Sequence, residues 1–443
     1  MKGFFLPFLA AALATSVSAA EPPVVPATID LETALTLALQ HNYAIRQARA
    51  FYSATTGAVM TNEAARLPTV SAVGNYQRVD EGLISVPGGS DTSWQAGVQA
   101  SQVIYAGGAV TSSIKSSRLT RDAAVAGFEE AVQSALLQVR VRWYAVLLAR
   151  EQVTVQVQSI QLLEEELGNA RSRVKAGSGS PFDQLRAEVA LANGQPLLIR
   201  ARNAYRVAAV DLLRAIGVPS DESAADRVTG QLRYEPREVA LESVLASAQA
   251  NRPEIRRLEN LLTAAEANVN TARAGSRPTV AVVGGYTFEK SQFSGAGADG
   301  SVDGWTVGAQ ASWDIFDGRA TRGRVLQSKA GVEQARLNLD DARQAIDADV
   351  RRSYASYRDA IELVNASQKV IEQAEESLRL ARSRFGAGAA TQLDVLQAQV
   401  ALTDARTNAA QALHDVTVGY AFLERAGALA PIPAGVNVEP PAE

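Results

Sequence analysis

Two aspartates stand out as the side chains placed to do chemistry in this 443-residue sequence. Asp183 follows the turn Ala176-Gly177-Ser178-Gly179-Ser180-Pro181, and Asp394 follows Gly386-Ala387-Gly388-Ala389-Ala390-Thr391. Arginines precede each turn: Arg173 before the first, Arg382 and Arg384 before the second. If copies of the chain meet around an axis at these turns, their carboxylates gather there, and an acidic ring favours cations, as in cation channels. The neighbouring arginines would then be placed to pair with those carboxylates. The plainer reading is that each aspartate caps the helix after its turn, drawn there by the positive end of the helix dipole.

Other chemistries are poorly served. There is no cysteine, so thiolate chemistry, disulfides and a lipid-bearing cysteine are excluded. The two histidines, His41 and His414, are far apart and lack metal-ligand spacing. No phosphate-binding loop or nucleophile motif is present. The formal net charge of -4 argues against a nucleic-acid surface. The chain is expected to be no enzyme, and to hold no cofactor and no metal.

The elements that position the two aspartates come in two copies, about 210 residues apart. Leu67-Pro68-Thr69-Val70 returns as Arg277-Pro278-Thr279-Val280, Trp94-x-x-Gly97 as Trp305-x-x-Gly308, and Arg171-Ser172-Arg173 as Arg382-Ser383-Arg384. Before the first turn, apolar residues recur every seventh position at Val125, Val132, Val139, Val146, Val153, Ile160, Leu167 and Val174. The second copy keeps the phase at Val350, Tyr357, Val364, Ile371, Leu378 and Phe385. A strict seven-residue repeat means a helix supercoiling left-handedly on its neighbours. These helices, about 109–176 and 320–385, are each roughly 100 Å long at 1.5 Å per residue. The glycine turns end them, and helices return to about Ile216 and Glu424, with Ser180 or Thr391 able to cap each. Further helices are expected at about Asp30–Arg66 and Val239–Arg273.

Between these helices the period changes to two. Trp94, Ala96, Val98, Ala100 and then Ile104 share one face, as do Trp305, Val307, Ala309, Ala311, Trp313 and Ile315. Partner strands carry Val70, Ala72, Gly74 and Tyr76, and Val280, Val282, Gly284, Tyr286 and Phe288. Strands of about ten residues with one apolar face and aromatics near the ends fit a membrane β-barrel. A soluble sheet with one buried face is the competing reading. The expected strands are about 68–80, 92–106, 278–289 and 304–317, with Arg78–Thr92 and Glu289–Gly304 as external loops. Four strands cannot close a barrel, so the chain must oligomerise. A dimer would supply eight strands and a trimer twelve.

Lys2, the apolar run Gly3–Val17 and the small residues Val17-Ser18-Ala19-Ala20 read as an export signal over residues 1–20. Repeats are expected at 28–216 and 239–427, with an equatorial linker at 217–238 and a disordered Pro-rich tail at 428–443.

On these residues the chain resembles the TolC-like outer-membrane efflux protein family, over about residues 28 to 427. The resemblance rests on the duplicated plan and on Arg384-x-x-x-Gly388-x-x-x-x-x-Asp394-x-Leu396-x-Ala398-Gln399-x-x-Leu402-x-x-Ala405-Arg406, echoed by Arg173, Gly177, Asp183, Leu185, Ala187 and Leu191. It implies a mainly α fold with a transmembrane β-barrel: a trimer with a twelve-stranded outer-membrane barrel and a twelve-helix periplasmic tunnel. It implies docking, through a periplasmic adaptor (a membrane fusion protein), on an inner-membrane pump of RND or ABC type. It places adaptor contacts at Ala176, Gly177 and Ser178 and at Ala387, Gly388 and Ala389. It places an acidic entrance ring at Asp394, while the family's second acidic position falls on Gln397. The implied role is the exit duct of a tripartite efflux or type I secretion system. A structural spacer spanning the envelope and a passive porin are the alternatives, and the cargo is not readable.

Overall fold

The computed structural model of the chain describes residues 26–80, 82, 91–219, 224–290 and 302–429. The expected signal segment, most of both external loops, residues 220–223 of the linker and the tail from 430 lie outside the described residues. In chain order the elements are α1 (Leu31–His41), α2 (Tyr43–Ala64), β1 (Thr69–Arg78), β2 (Thr92–Ala106), α3 (Ala109–Lys175), α4 (Pro181–Ile216) and a short α5 (Ala224–Arg227). The second half follows as α6 (Leu241–Asn251), α7 (Pro253–Arg273), β3 (Thr279–Lys290), β4 (Val302–Ser312), α8 (Ala320–Gly386) and α9 (Gln392–Ala426).

The two long helices, α3 and α8, have 67 residues each. Every heptad residue named above is buried or half-buried, from Val125 to Val174 and from Val350 to Phe385. α3 lies against α2, α4, α7 and α9, and α8 against α7 and α9. Two larger cores sit at mid-height. One gathers Ile29, Val139, Trp143, Val146, Leu212 and Ile216, and the other Val244, Ile346, Val350, Tyr357 and Leu423. Smaller cores near the glycine turns are alanine-rich, such as Leu378, Val395, Ala398, Leu402 and Ala405. Small side chains there let α8 and α9 run close together. The segment before α1 pairs with the linker through a parallel bridge between Ile29 and Val228.

Two expected helices are each broken. The span expected at Asp30–Arg66 is split at Asn42, whose ψ of 128° leaves the helical region. The Asn42 Oδ1 accepts from the Ala44 and Ile45 amides, and its Nδ2 donates to the Ala215 carbonyl at 2.7 Å. The break therefore restarts the helix and ties it to the end of α4. Arg252 breaks the second copy, with Pro253 as first residue of α7. Its buried guanidinium pairs with Glu254 at 2.9 Å and Asp349 at 3.0 Å. Proline suits the first turn of a helix and removes an amide from the one before it.

The four strands form one antiparallel sheet in the order β1-β2-β3-β4. Its register sets Val70 opposite Ala100 and Tyr76 opposite Trp94, then repeats this as Val280 opposite Ala311 and Tyr286 opposite Trp305. Across β2 and β3, Trp94 stands opposite Lys290 and Tyr286 opposite Val98, so the second aromatic pair is offset from the first by four residues along the strands. The expected alternation slips at Ile104. It is the extra residue of a bulge, so Tyr105 rather than Ile104 stands opposite an apolar partner, Val280. β4 ends at Ser312, short of the expected 317, and among the described residues no further strand lies beside it.

Candidate channel entrance and membrane wall

Both turns are built alike. Gly177 and Gly388 each take φ +73°, the left-handed region that side chains disfavour. In the first, the Gly177 amide donates to Val174 O at 3.0 Å and the Ser178 amide to Arg173 O at 2.9 Å. In the second, Gly388 donates to Phe385 O at 3.0 Å and Ala389 to Arg384 O at 2.8 Å. These paired bonds satisfy the last carbonyls of a helix around a left-handed residue. Ala176, Gly177, Ser178, Ala387, Gly388 and Ala389 are all exposed.

Asp394 sits three residues after the N-cap Thr391 and forms a reciprocal capping box with it. Its Oδ2 accepts from the Thr391 amide at 2.7 Å and from the Thr391 hydroxyl at 2.8 Å. The Thr391 amide, then its hydroxyl, hold the Asp394 carboxyl below its ordinary value, and nearby Arg384 adds to this. Asp394 therefore caps α9, and as an exposed carboxylate its charge also faces solvent at the turn. Asp183 holds the matching place in α4, but there the Ser180 hydroxyl accepts from Phe182 instead and no capping box forms.

Asp394 and Gln397 line an open groove of about 870 Å³ between α8 and α9, together with Glu372, Glu376 and Arg384. Glu376 is paired with Arg379 at 2.6 Å, which leaves Glu372 and Asp394 against Arg384 and makes the groove mildly acidic. Within the protomer the other arginines are engaged elsewhere. Arg173 lies over the Phe385 ring, 4.6 Å from its centroid. Arg382 reaches Glu166 at 3.2 Å and Glu165 at 3.5 Å. Burial pushes the Glu166 carboxyl up, and Arg382 partly offsets this. Sequence reasoning missed these two glutamates, because a Glu164-Glu165-Glu166 run looks like a solvated face. A signal existed in the repeat. Arg171 pairs with Glu188 at 3.1 Å, but the residue equivalent to Glu188 is Gln399, so Arg382 needs another carboxylate.

The sheet decides between soluble and membrane readings. A soluble antiparallel sheet buries one face. Here every residue of β1 and β4 is exposed. The face carrying Val70, Tyr76, Val98, Phe288, Trp305 and Val307 is apolar, with Trp305 74% and Val307 72% exposed. The opposite face carries Ser71, Asn75, Gln95, Gln99, Thr287, Thr306 and Gln310. An apolar face to lipid and a polar one to water is the wall of a water-filled barrel. Among the described residues no helix is long and apolar enough to cross a membrane.

A protein-family model described as outer membrane efflux protein matches residues 34–218 and 244–426. Protein CyaE of Bordetella pertussis is 28% identical over 372 residues, which cover 83% of this chain and 77% of that protein. The solvent efflux pump outer membrane protein SrpC of Pseudomonas putida is 27% identical over 378 residues, covering 82% and 78%. The fold matches the crystal structure of the Campylobacter jejuni CmeC outer membrane channel with a TM-score of 0.78 over 90% of this chain and 85% of that one, at 15% identity. The duplicated helical hairpins and four-stranded membrane wall thus carry the fold of an α-barrel joined to a β-barrel, and the chain belongs to the outer membrane efflux protein family, an exit channel of the outer membrane with a large periplasmic helical portion.

Proposed function

We propose that three copies of the chain form one duct, which takes cargo from an inner-membrane pump of RND or ABC type, passed on by a periplasmic adaptor at the hairpin tips, and releases it outside. The observation that carries this reading is the sheet: four strands, an apolar and a polar face both bare, and two open edges, standing at one end of helices roughly 100 Å long. An open edge in lipid leaves backbone groups unpaired at several kcal/mol each, so copies must close it. Twelve strands leave a lumen where eight would be filled by side chains.

At the other end, the exposed turns at Ala176-Gly177-Ser178 and Ala387-Gly388-Ala389 are the furthest points from the membrane wall, and they are the adaptor contacts of this reading. Asp394, with Asp183, Gln397, Arg384 and Arg173 around it, forms the entrance, where three copies of an exposed carboxylate favour cations. A passive porin would need no such helices, and a spacer would need no polar lumen.

The test is export by cells lacking the gene, compared with cells lacking the inner-membrane pump. The duct reading predicts that both retain the same cargo and that restoring the gene restores release. Retention of nothing without the duct, or release that continues without the pump, would overturn it.

A further inference from the structure

We propose that a pocket at mid-height, between the linker and helices α3, α8 and α9, binds a single sugar ring carrying a carboxylate. The pocket has a volume of about 230 Å³ and is lined by Tyr144, Tyr234, Tyr357, Tyr420, Arg233 and Arg237. Four of the chain's 11 tyrosines thus meet at one place. The site lies within one protomer, so the inference goes beyond the duct and does not depend on how many copies form it.

The linker is laid across the helices and makes the pocket. Its first part is sealed down. Arg150 donates to Val228 O at 3.2 Å and also to Gly230 O. Gly230 takes φ +130°, and a Cβ there would lie 2.5 Å from Trp143 Cζ2, so nothing fits between them. The second part stands off. Arg233, Glu235 and Arg237 are exposed, and the Tyr357 hydroxyl donates to the Arg237 carbonyl at 3.2 Å. The internal repeat shows the same contrast. Tyr357 and Tyr420 stand where α3 and α4 carry Val146 and Ala209, each 1% exposed in a closed core. Val416 stands where α4 carries Tyr205, whose hydroxyl donates to Ala225 O at 2.6 Å. α3 and α4 therefore close on the linker, and α8 and α9 leave a space under it.

The charges around the space favour an anion. The Arg237 guanidinium lies over the Tyr420 ring, 4.7 Å from its centroid, and Tyr420 leans in turn on Tyr357 at 5.6 Å. Its planar fork is thereby held in place, and such a fork suits the two oxygens of a carboxylate. The nearest carboxylate, Glu235, is 3.9 Å away and 81% exposed, too far and too solvated to satisfy it. Arg233 bonds the neutral Gln231 at 3.0 Å and keeps its full charge. Arg140 and Glu424, beside Tyr144, pair with each other and cancel. Two guanidinium groups therefore face one solvated carboxylate.

The walls favour a sugar. Tyrosine offers an apolar ring face and a polar tip, and a sugar offers an apolar C–H face rimmed by hydroxyls. The hydroxyls of Tyr144 and Tyr234 have no protein partner among the described residues. A sugar uses both the rings and these hydroxyls. Inorganic phosphate would leave the rings unused, and an aromatic acid would leave the hydroxyls unused. The volume lies below the roughly 300–1,000 Å³ of sites for drug-sized ligands, so one ring is the fitting size. The pocket also stays open in an assembled duct. Packing across the hairpins runs α4, α3, α9, α8, so a next copy joins at α4 and α8, while the pocket opens between α3 and α9.

The test is calorimetric titration of the full chain in detergent with glucuronate, and with glucose, benzoate and inorganic phosphate as comparators. The variants are Arg237→Met and the double variant Tyr144→Phe/Tyr234→Phe, each checked for an unchanged thermal midpoint without ligand. The expected result is saturable glucuronate binding at one site per chain, with glucose weaker by about tenfold or more for want of the charge-assisted bonds. Arg237→Met should weaken glucuronate by a similar factor and leave glucose unchanged, which a merely structural role for Arg237 would not do. The double tyrosine variant should weaken both sugars and spare benzoate. Galacturonate and its linear trimer separate two sources of the same chemistry: tighter binding of the trimer assigns the ligand to an acidic polysaccharide, and equal binding assigns it to a free sugar acid. Glucuronate heats no different from those of dilution would overturn the site. Binding that survives Arg237→Met unchanged would overturn its location, and benzoate or phosphate binding more tightly than glucuronate would overturn the sugar. Glucuronate binding by a protein that proves monomeric would support the inference while removing the duct.

Discussion

Replacing Gly388 separates a structural cost from a functional one. Its φ of +73° strains any side chain, while a Cβ there meets nothing within 4 Å. Strain is therefore the whole cost within the protomer, roughly 1–2 kcal/mol for alanine. Tryptophan adds bulk pointing into open space, so its cost to the protomer is about the same. Asparagine tolerates the left-handed region better and costs less. If the exposed tip only reverses the chain, export should follow stability: asparagine nearly normal, alanine and tryptophan equally and slightly reduced. If an adaptor seats against the tip, tryptophan alone should abolish export, with trimer level, membrane insertion and thermal midpoint matching those of the alanine variant. The assay is cargo retention in cells carrying each variant at matched outer-membrane abundance. Normal export by the Gly388→Trp protein would refute the contact, as would equal loss of export in the alanine and tryptophan variants.

Other outcomes follow from the same geometry. Thr391→Ala should loosen the start of α9 by about 1 kcal/mol, read as faster amide exchange in its first turn, with cation selectivity in planar bilayers unchanged. Asp394→Asn should lower cation preference if the carboxylates meet at the entrance; unchanged selectivity would leave Asp394 a cap alone. Because the Thr391 amide and hydroxyl depress the Asp394 carboxyl, its stabilisation is present above the ordinary value of 3.8 and is lost as pH falls through the lower folded value, so the first turn of α9 should stay protected at neutral pH and open only in stronger acid. Glu166 has the opposite sign. Its carboxyl is raised by burial above the ordinary 4.5, so its contribution is full below that value and declines as pH rises through the folded value. Glu166→Gln should flatten the fall of the thermal midpoint above pH 4.5, and Arg382→Met should steepen it. Phe128 is 1% exposed and packs among Ile45, Val132, Ala135 and Leu136. Phe128→Ala should cost about 3–5 kcal/mol, seen as a large drop in thermal midpoint, and a shift no larger than that of a surface substitution would contradict the core.

How much of this could be read from the sequence depended on whether a feature is periodic or rests on a distant partner. The residues Val125 to Val174 and Val350 to Phe385 declare their inward face, because a seven-residue period can satisfy only one seam of a helix. Alternation from Trp94 and from Trp305 declares two faces, but not the bulge at Ile104. Gln102 falling on the apolar phase was the one local hint, and its bond to Arg66 O explains why the phase slips there. The break at Asn42 depends on Ala215, 173 residues away in the chain, and no local pattern shows it. Pro253 is a local signal for the second break that the expected unbroken helix over Val239–Arg273 passed over. At the tips, Thr391-x-x-Asp394 is itself a capping signature. The Arg382 pair with Glu166 became visible only once Gln399 was seen to stand where the repeat has Glu188.

The duct stands or falls with the count of chains in the membrane-extracted particle. Light scattering of the detergent-solubilised protein, with the detergent mass subtracted, measures it directly. Three chains per particle is the predicted result, giving the strands for an open lumen and the helices for a tube. One chain, stable and needing no detergent, would contradict the membrane wall. Two chains would close a barrel too narrow to pass cargo and would contradict the duct.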